Sequence, residues 1–407
     1  MSGAVQLRHK TGSASSSMSR EMSLILDIIR FSAATLVLLH HAAFGKFGTY
    51  IPWHFTQTAT EPVMAFFVLS GFVIALTAET NDRSGYQYFV SRAVRLLSVT
   101  IPAIILTVLL DHVGATIFPA LYADHWTDPA TLKNLGTPLS LQVGATVTFF
   151  NQIWTWDIWP GTNSPFWSLG YEAAYYVIFG IAYYERRTWP RILGLALVCL
   201  VIGPKVLLLF PIWLMGVGLW HIYKRANISV LGGGLLCVFS AIGYAAFIGT
   251  KAHSSLDHIS EVLTAGAPQN LIGISNHFLS NYVSGLFFSG ALIGLKGLSG
   301  VLSPILFASG SWIRAMAHCT FSMYLYHYPL VYFFRAVGAA VCGQRDLNTR
   351  SWPLTAVVVI GTGVSIYLLA RVTEQKKNEF RGLLMMMSKP FQRVMGKRRR
   401  RKRYVTY

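Results

Sequence analysis

Arg30 and His41 stand eleven residues apart inside one apolar stretch, residues 24–44. Eleven helical steps of about 100° return to within roughly 20° of the starting direction, with a rise of about 16 Å. The two side chains therefore share a face. A guanidinium and an imidazole are costly in hydrocarbon, so the pair marks a protein-lined or wet cavity. Asp27, three residues before Arg30, has the spacing of a helix-internal ion pair that orients the guanidinium. His40 points about 100° away from His41, toward a different neighbour. An imidazole, with an unperturbed pKa of about 6.5, suits proton transfer or nucleophilic attack at neutral pH.

Three further clusters carry chemistry. Arg92 and Arg95 lie on one helical face at the mouth of the third apolar span. Paired guanidinium groups fit phosphate oxygens, and the same residues serve as ordinary positive-inside anchors. The run Phe166-Trp167-Ser168-Leu169-Gly170-Tyr171-Glu172 opens the fourth span. It places Glu172 about one turn below the outer interface, where a carboxylate needs a partner, functional or structural. Trp167 and Trp159 read as an interfacial aromatic belt ahead of a sugar-stacking platform. Finally, Thr320-Phe321-Ser322-Met323-Tyr324-Leu325-Tyr326-His327-Tyr328-Pro329 puts an imidazole and several hydroxyls in the ninth span, before a proline that frees a backbone carbonyl.

The elements that position these groups follow from composition. Of 407 residues, 53% are hydrophobic and only 12% charged, with a mean hydropathy of +0.46. An average soluble domain is about one-quarter charged, so the chain is an all-α, polytopic membrane helix bundle. Apolar runs predict about ten spans, at 22–44, 61–79, 96–118, 166–184, 190–203, 205–222, 229–250, 278–295, 315–337 and 354–371. Segment 141–156 reads as a re-entrant or interfacial helix. Residues 1–20 form a basic cytoplasmic segment, 21–375 the membrane domain and 376–407 a basic cytoplasmic tail, with no appended soluble domain. The first span, holding Asp27 and Arg30, is expected to stay as a signal anchor.

Lys and Arg outnumber Asp and Glu 34 to 16. Their concentration in alternate loops predicts both termini in the cytoplasm. In a membrane chain such an excess reports contact with anionic lipid, and no module for nucleic acid accompanies it. Cys199, Cys237, Cys319 and Cys342 have no metal spacing and define no disulfide framework. No metal site is expected.

Taken in order, Arg30-x10-His41, Phe66-Phe67-Val68-Leu69-Ser70-Gly71-Phe72, Arg92-x-x-Arg95, Trp167-Ser168-Leu169-x-x-Glu172 and Ser322-x-Tyr324-Leu325-x-His327-x-Pro329 resemble the motifs of acyltransferase family 3. These are the membrane O-acyltransferases that modify O-antigen, exopolysaccharide, nodulation factors and some antibiotics. The resemblance implies an acyl-coenzyme A donor, usually acetyl, taken from the cytoplasm. It implies transfer to a hydroxyl of an extracytoplasmic glycan or lipid-linked saccharide, in the bacterial inner membrane. It further implies that His41 is the essential histidine with Arg30 as its partner, and that Glu172 and His327 are the other functional acid and histidine. Arg92 and Arg95 would lie near the donor's phosphates, while Ser70, Trp167, Ser168, Ser322 and Tyr324 would line or support the site. Glu374 resembles the glutamate that often closes the last span, although Gln375-Lys376 departs from the usual pattern there. Glu61 also departs, adding a carboxylate before the Phe-Phe run. The rival readings are a secondary transporter and a non-catalytic partner in polysaccharide export. His41 would serve either as general base or as a transient acyl carrier.

Overall fold

The computed structural model describes residues 18–52, 60–125, 134, 136–343, 346–347, 349–376 and 379–382. The basic run 397–403 and most of the two terminal segments lie outside the described residues. Those described form fifteen α-helices, with no strand among them. In chain order they are α1 (Arg20–Ala42), α2 (Thr60–Thr80), α3 (Gly85–Ile117), α4 (Pro119–His125) and α5 (Leu139–Val147). Next come α6 (Trp167–Tyr184), α7 (Thr188–Ile202), α8 (Pro204–Arg225), α9 (Val230–Gly249) and α10 (Ala252–Leu263). The last are α11 (Gln269–Ile272), α12 (Phe278–Ala308), α13 (Gly310–Ala317), α14 (Thr320–Cys342) and α15 (Trp352–Val372).

Each predicted span falls on one long helix: α1, α2, α3, α6, α7, α8, α9, α12, α14 and α15. Seven helical segments are long and apolar enough to cross a membrane. The three outside that count are α6, α7 and α14. At 15 residues α7 is short, and α6 and α14 carry the hydroxyl, carboxylate and imidazole groups of the candidate site. Serine side chains start four of the long helices: Ser19, Ser84, Ser229 and Ser351 each accept a backbone N–H three residues on, at 3.1–3.3 Å. Gly203, at φ +82°, reverses the chain between α7 and α8, a conformation most side chains resist.

In lipid there is little hydrophobic gain when helices associate, so close contact must hold them together. Small residues supply it twice. A Cβ on Gly233 of α9 would lie 2.6 Å from the Gly294 carbonyl oxygen of α12, which brings these backbones into contact. Likewise a Cβ on Gly71 of α2 would lie 2.0 Å from the Trp213 carbonyl oxygen of α8, and one on Gly216 would lie 1.9 Å from the Val68 oxygen. The outer faces are apolar, with Leu193, Leu197 and Leu200 of α7 and Leu231, Leu235 and Phe239 of α9 exposed.

Gly71 adjoins Ser70, which reaches into the candidate site. Gly71→Ala is therefore expected to cost about 1–3 kcal/mol through overpacking and to lower the unfolding temperature in detergent. Gly218→Ala, on the same α8, meets nothing within 4 Å and should leave that temperature unchanged. Equal behaviour of the two variants would contradict a tight α2–α8 seam.

The segment between α3 and α6 re-enters the bundle. Asn151, Gln152, Thr162 and Asn163 are buried, and Asp111 of α3 holds the Thr162 N–H and hydroxyl at 2.7 Å each. Asn163 donates to the Leu325 carbonyl at 2.9 Å. That carbonyl lies four residues before Pro329, which has no N–H to offer it. Irregular backbone is tolerated at such depth because protein partners satisfy it.

This re-entry changes where α6 begins. Its second residue, Ser168, bonds the Tyr324 hydroxyl at 2.6 Å, only five residues into α14. Glu172 accordingly sits level with Ser70, the midpoint of α2. Trp167 is partly buried against the bundle, edge-on to Phe67 and Tyr171 with centroids 6.2 and 5.2 Å apart. Trp159 is buried as well, its backbone N–H and carbonyl both held by Asn134.

Candidate active site

A cavity of about 350 Å³ opens between the helices at the lower end of the bundle, where α1 starts and α15 stops. Asp27 and Arg30 of α1 line it, paired at 3.7 Å. Ser70 of α2, Arg95 of α3 and Glu172 of α6 face them across the space. Glu172 Oε1 accepts from Ser70 Oγ at 2.7 Å and from the Tyr176 hydroxyl, while the Trp213 indole N–H donates to Ser70 Oγ at 3.2 Å. The carboxylate is thus fixed by two hydroxyls, one of which is itself held by Trp213. Glu374 closes the lower edge and accepts from the Ser322 N–H at 2.9 Å, placing a negative charge at the start of α14, where the helix dipole favours it. Ser322 itself is fully buried.

Tyr324 joins this cavity to a second centre. Its ring lines the cavity beside Phe66, at 5.7 Å, and its carbonyl accepts from His327 Nδ1 at 2.8 Å. The Met323 carbonyl lies 3.0 Å from the same nitrogen. His327 Nε2 is 3.0 Å from His41 Nδ1, which is also 3.0 Å from the Val37 carbonyl. Carbonyls only accept, so His327 Nδ1 carries a hydrogen and its Nε2, in the neutral ring, presents a lone pair. His41 Nδ1–H then donates to that lone pair and to Val37. His41 Nε2 is left unprotonated, which is the form required of a base or a nucleophile.

Arg30 and His41 thus both turn inward, but at different stations. Arg30 is in the cavity wall, whereas His41 and His327 stand beyond Tyr324. On the far side the His41 ring meets Tyr328 at 4.6 Å and Phe44 at 5.8 Å, followed by Phe47 and Tyr332. His40 packs edge-on against Phe44 at 5.0 Å.

Arg92 and Arg95 separate. Arg95 enters the cavity, but Arg92 pairs with Asp82 at 3.2 Å and lies over the Tyr88 ring in a different hollow. The i, i+3 spacing spreads two long side chains across about 60°, and Asp82, in the turn after α2, draws Arg92 away. Both sit well inside α3, which begins at Gly85, eleven residues before the predicted start at 96.

Three groups in or beside the cavity were not singled out from sequence. Tyr176 bonds Glu172, and Arg314 and His318 reach the wall from α13 and the turn after it. The last two share an i, i+4 spacing that resembles routine basic flanking of a span. Among the described residues no group of His, Cys, Asp and Glu is arranged to hold a metal ion.

Compared with known proteins, residues 24–370 match the model of the acyltransferase domain of acyltransferase family 3. No curated protein and no solved structure matches the chain.

Proposed function

Since this chain belongs to acyltransferase family 3 and is a membrane acyltransferase, we propose that it moves an acyl group, acetyl in the simplest case, from coenzyme A to a hydroxyl of a glycan or lipid-linked saccharide. In this reading the lower end of the bundle faces the cytoplasm and admits the donor, and the acceptor arrives from the opposite side of a bacterial inner membrane. Both termini are cytoplasmic. The observation that carries the reading is the His41–His327 pair, its rings 3.0 Å apart between Nε2 and Nδ1 and held between a charged cavity and an aromatic cluster.

The chemistry balances with residues on hand. The acceptor hydroxyl gives its proton to His41 Nε2 as its oxygen attacks the thioester carbon. The C–S bond breaks, and the departing coenzyme A sulfur takes that proton back. Alternatively, Nε2 itself attacks and coenzyme A leaves as the thiolate; the acceptor oxygen then displaces the imidazole from the acyl carbon, and the acceptor's proton passes to the thiolate. In both routes His327 fixes the His41 ring, much as a buried partner orients a catalytic histidine elsewhere. Arg30 supplies positive charge to the donor cavity, about 16 Å along α1 from His41, and Glu172 fixes the wall through Ser70 and Tyr176.

The test uses membranes carrying the full chain and acetyl-labelled coenzyme A. Label is expected to pass into surface saccharide, with a mass gain of one acetyl group. Intact donor after prolonged incubation, with saccharide still exported normally, would favour a transport or assembly role instead.

A further inference from the structure

We infer that Arg314 and His318, together with Arg95, hold the diphosphate of the coenzyme A donor at the lower mouth of the cavity; the inference rests on the reading of that cavity as the donor site.

The argument begins with a count of charges in the cavity wall. Three guanidinium groups face it: Arg30, Arg95 and Arg314. Three carboxylates face it too, and each is engaged. Asp27 is paired with Arg30, Glu172 accepts from Ser70 and Tyr176, and Glu374 caps the Ser322 N–H. The Arg95 and Arg314 guanidinium groups form no ion pair among the described residues. The wall is balanced in charge, but these two cations have no carboxylate within 4 Å among the described residues, so they are the ones placed to take up an arriving anion.

Position says which anion. Arg314 and His318 are four residues apart on one face and exposed at the mouth, whereas Ile313 anchors α13 against the bundle. Arg95 reaches the same space from α3, on the other side. Two guanidinium groups from different elements suit an anion with several oxygens spread over two phosphorus centres. A cavity of about 350 Å³ is at the small end for a ligand pocket. It has room for a slender thioester arm, with the nucleotide left outside, so the diphosphate between them falls at the mouth. Arg92, already paired with Asp82, stays outside this clamp.

The experiment measures binding of coenzyme A, dephospho-coenzyme A and pantetheine to the full chain in detergent, which needs no acceptor. Arg314→Ala is expected to raise the Kd for coenzyme A about 10- to 100-fold, with the same penalty for dephospho-coenzyme A. Pantetheine lacks the diphosphate and should bind wild type and variant alike. Arg314→Gln repeats the test with a neutral polar side chain that keeps the aliphatic start of the arginine, and Arg314→Lys should recover part of the affinity. His318→Ala should show a smaller loss in the same direction, and Arg92→Ala none. A penalty that vanishes with dephospho-coenzyme A would place the contact on the 3′-phosphate and overturn the diphosphate assignment. An unchanged Kd in both Arg314 variants would overturn the inference while leaving the donor reading intact. Failure of the wild-type chain to bind coenzyme A would remove the donor reading itself.

Discussion

Membranes carrying His41→Ala are expected to hold normal amounts of inserted protein and to lose about 10²- to 10⁴-fold in acyl transfer, the range for removing a general acid–base group. The loss is total if the imidazole carries the acyl group. His41 lies at the end of α1 with its ring among Tyr328, Phe44 and His327, so the substitution opens a small void without unpairing a charge. Its partner cannot take over. His327 Nδ1–H is committed to the Tyr324 and Met323 carbonyls, and its Nε2 faces the position that His41 vacates. His327→Ala should cost less, on the order of 10- to 10²-fold, because His41 keeps its lone pair but loses the contact that orients the ring. The ordering of these two variants separates a base held by its neighbour from two interchangeable bases. Normal saccharide modification in His41→Ala would end the mechanism.

The parts of this site legible in the sequence are those set by local periodicity. The inward turn of Arg30 and the Asp27–Arg30 pair follow from helical spacing alone, and the carbonyl freed by Pro329 follows from chain chemistry. Span positions were equally legible, since each apolar run became one helix. Contacts between distant segments carried no such signal. Nothing in the spacing of His41 and His327, 286 residues apart, shows that their rings meet; only the shared family motifs pointed to both. The level of Glu172 beside Ser70 was not legible, because an apolar count gives each span its length but not its offset from its neighbours. The re-entrant residues between α5 and α6 shift the start of α6 into the bundle, and their polar side chains find partners only in the assembled fold. The parting of Arg92 from Arg95 was hidden for a similar reason. Its direction is set by Asp82, on the preceding turn, which a helical wheel of α3 does not contain. Arg314 and His318 escaped notice because basic residues beside a span are the ordinary signature of orientation.

Arg30→Ala is expected to lower transfer about 10-fold, by removing a positive charge from the wall of the donor cavity and not from the His41 centre, and also to weaken the fold. Without the guanidinium, Asp27 faces Arg95 and Arg314 across a wet cavity but loses the partner at 3.7 Å. The side chains of the pair are 24% and 17% exposed, so solvent screens them in part. Their coupling should lie between that of a surface pair and a buried one, about 1–2 kcal/mol. A double-mutant cycle separates the two roles. Asp27→Ala should reduce stability with a modest effect on rate, and Asp27→Ala/Arg30→Ala should regain stability relative to Arg30→Ala while remaining as inactive. Thermal unfolding in detergent reads the first quantity and labelled acyl transfer the second. If activity returns in the double variant, Arg30 serves only to neutralise Asp27, and the positive charge opposite Glu172 has no part in the reaction. If stability does not return, the ion pair contributes nothing to α1, and the orientation of Arg30 must come from Glu172 and the opposite wall.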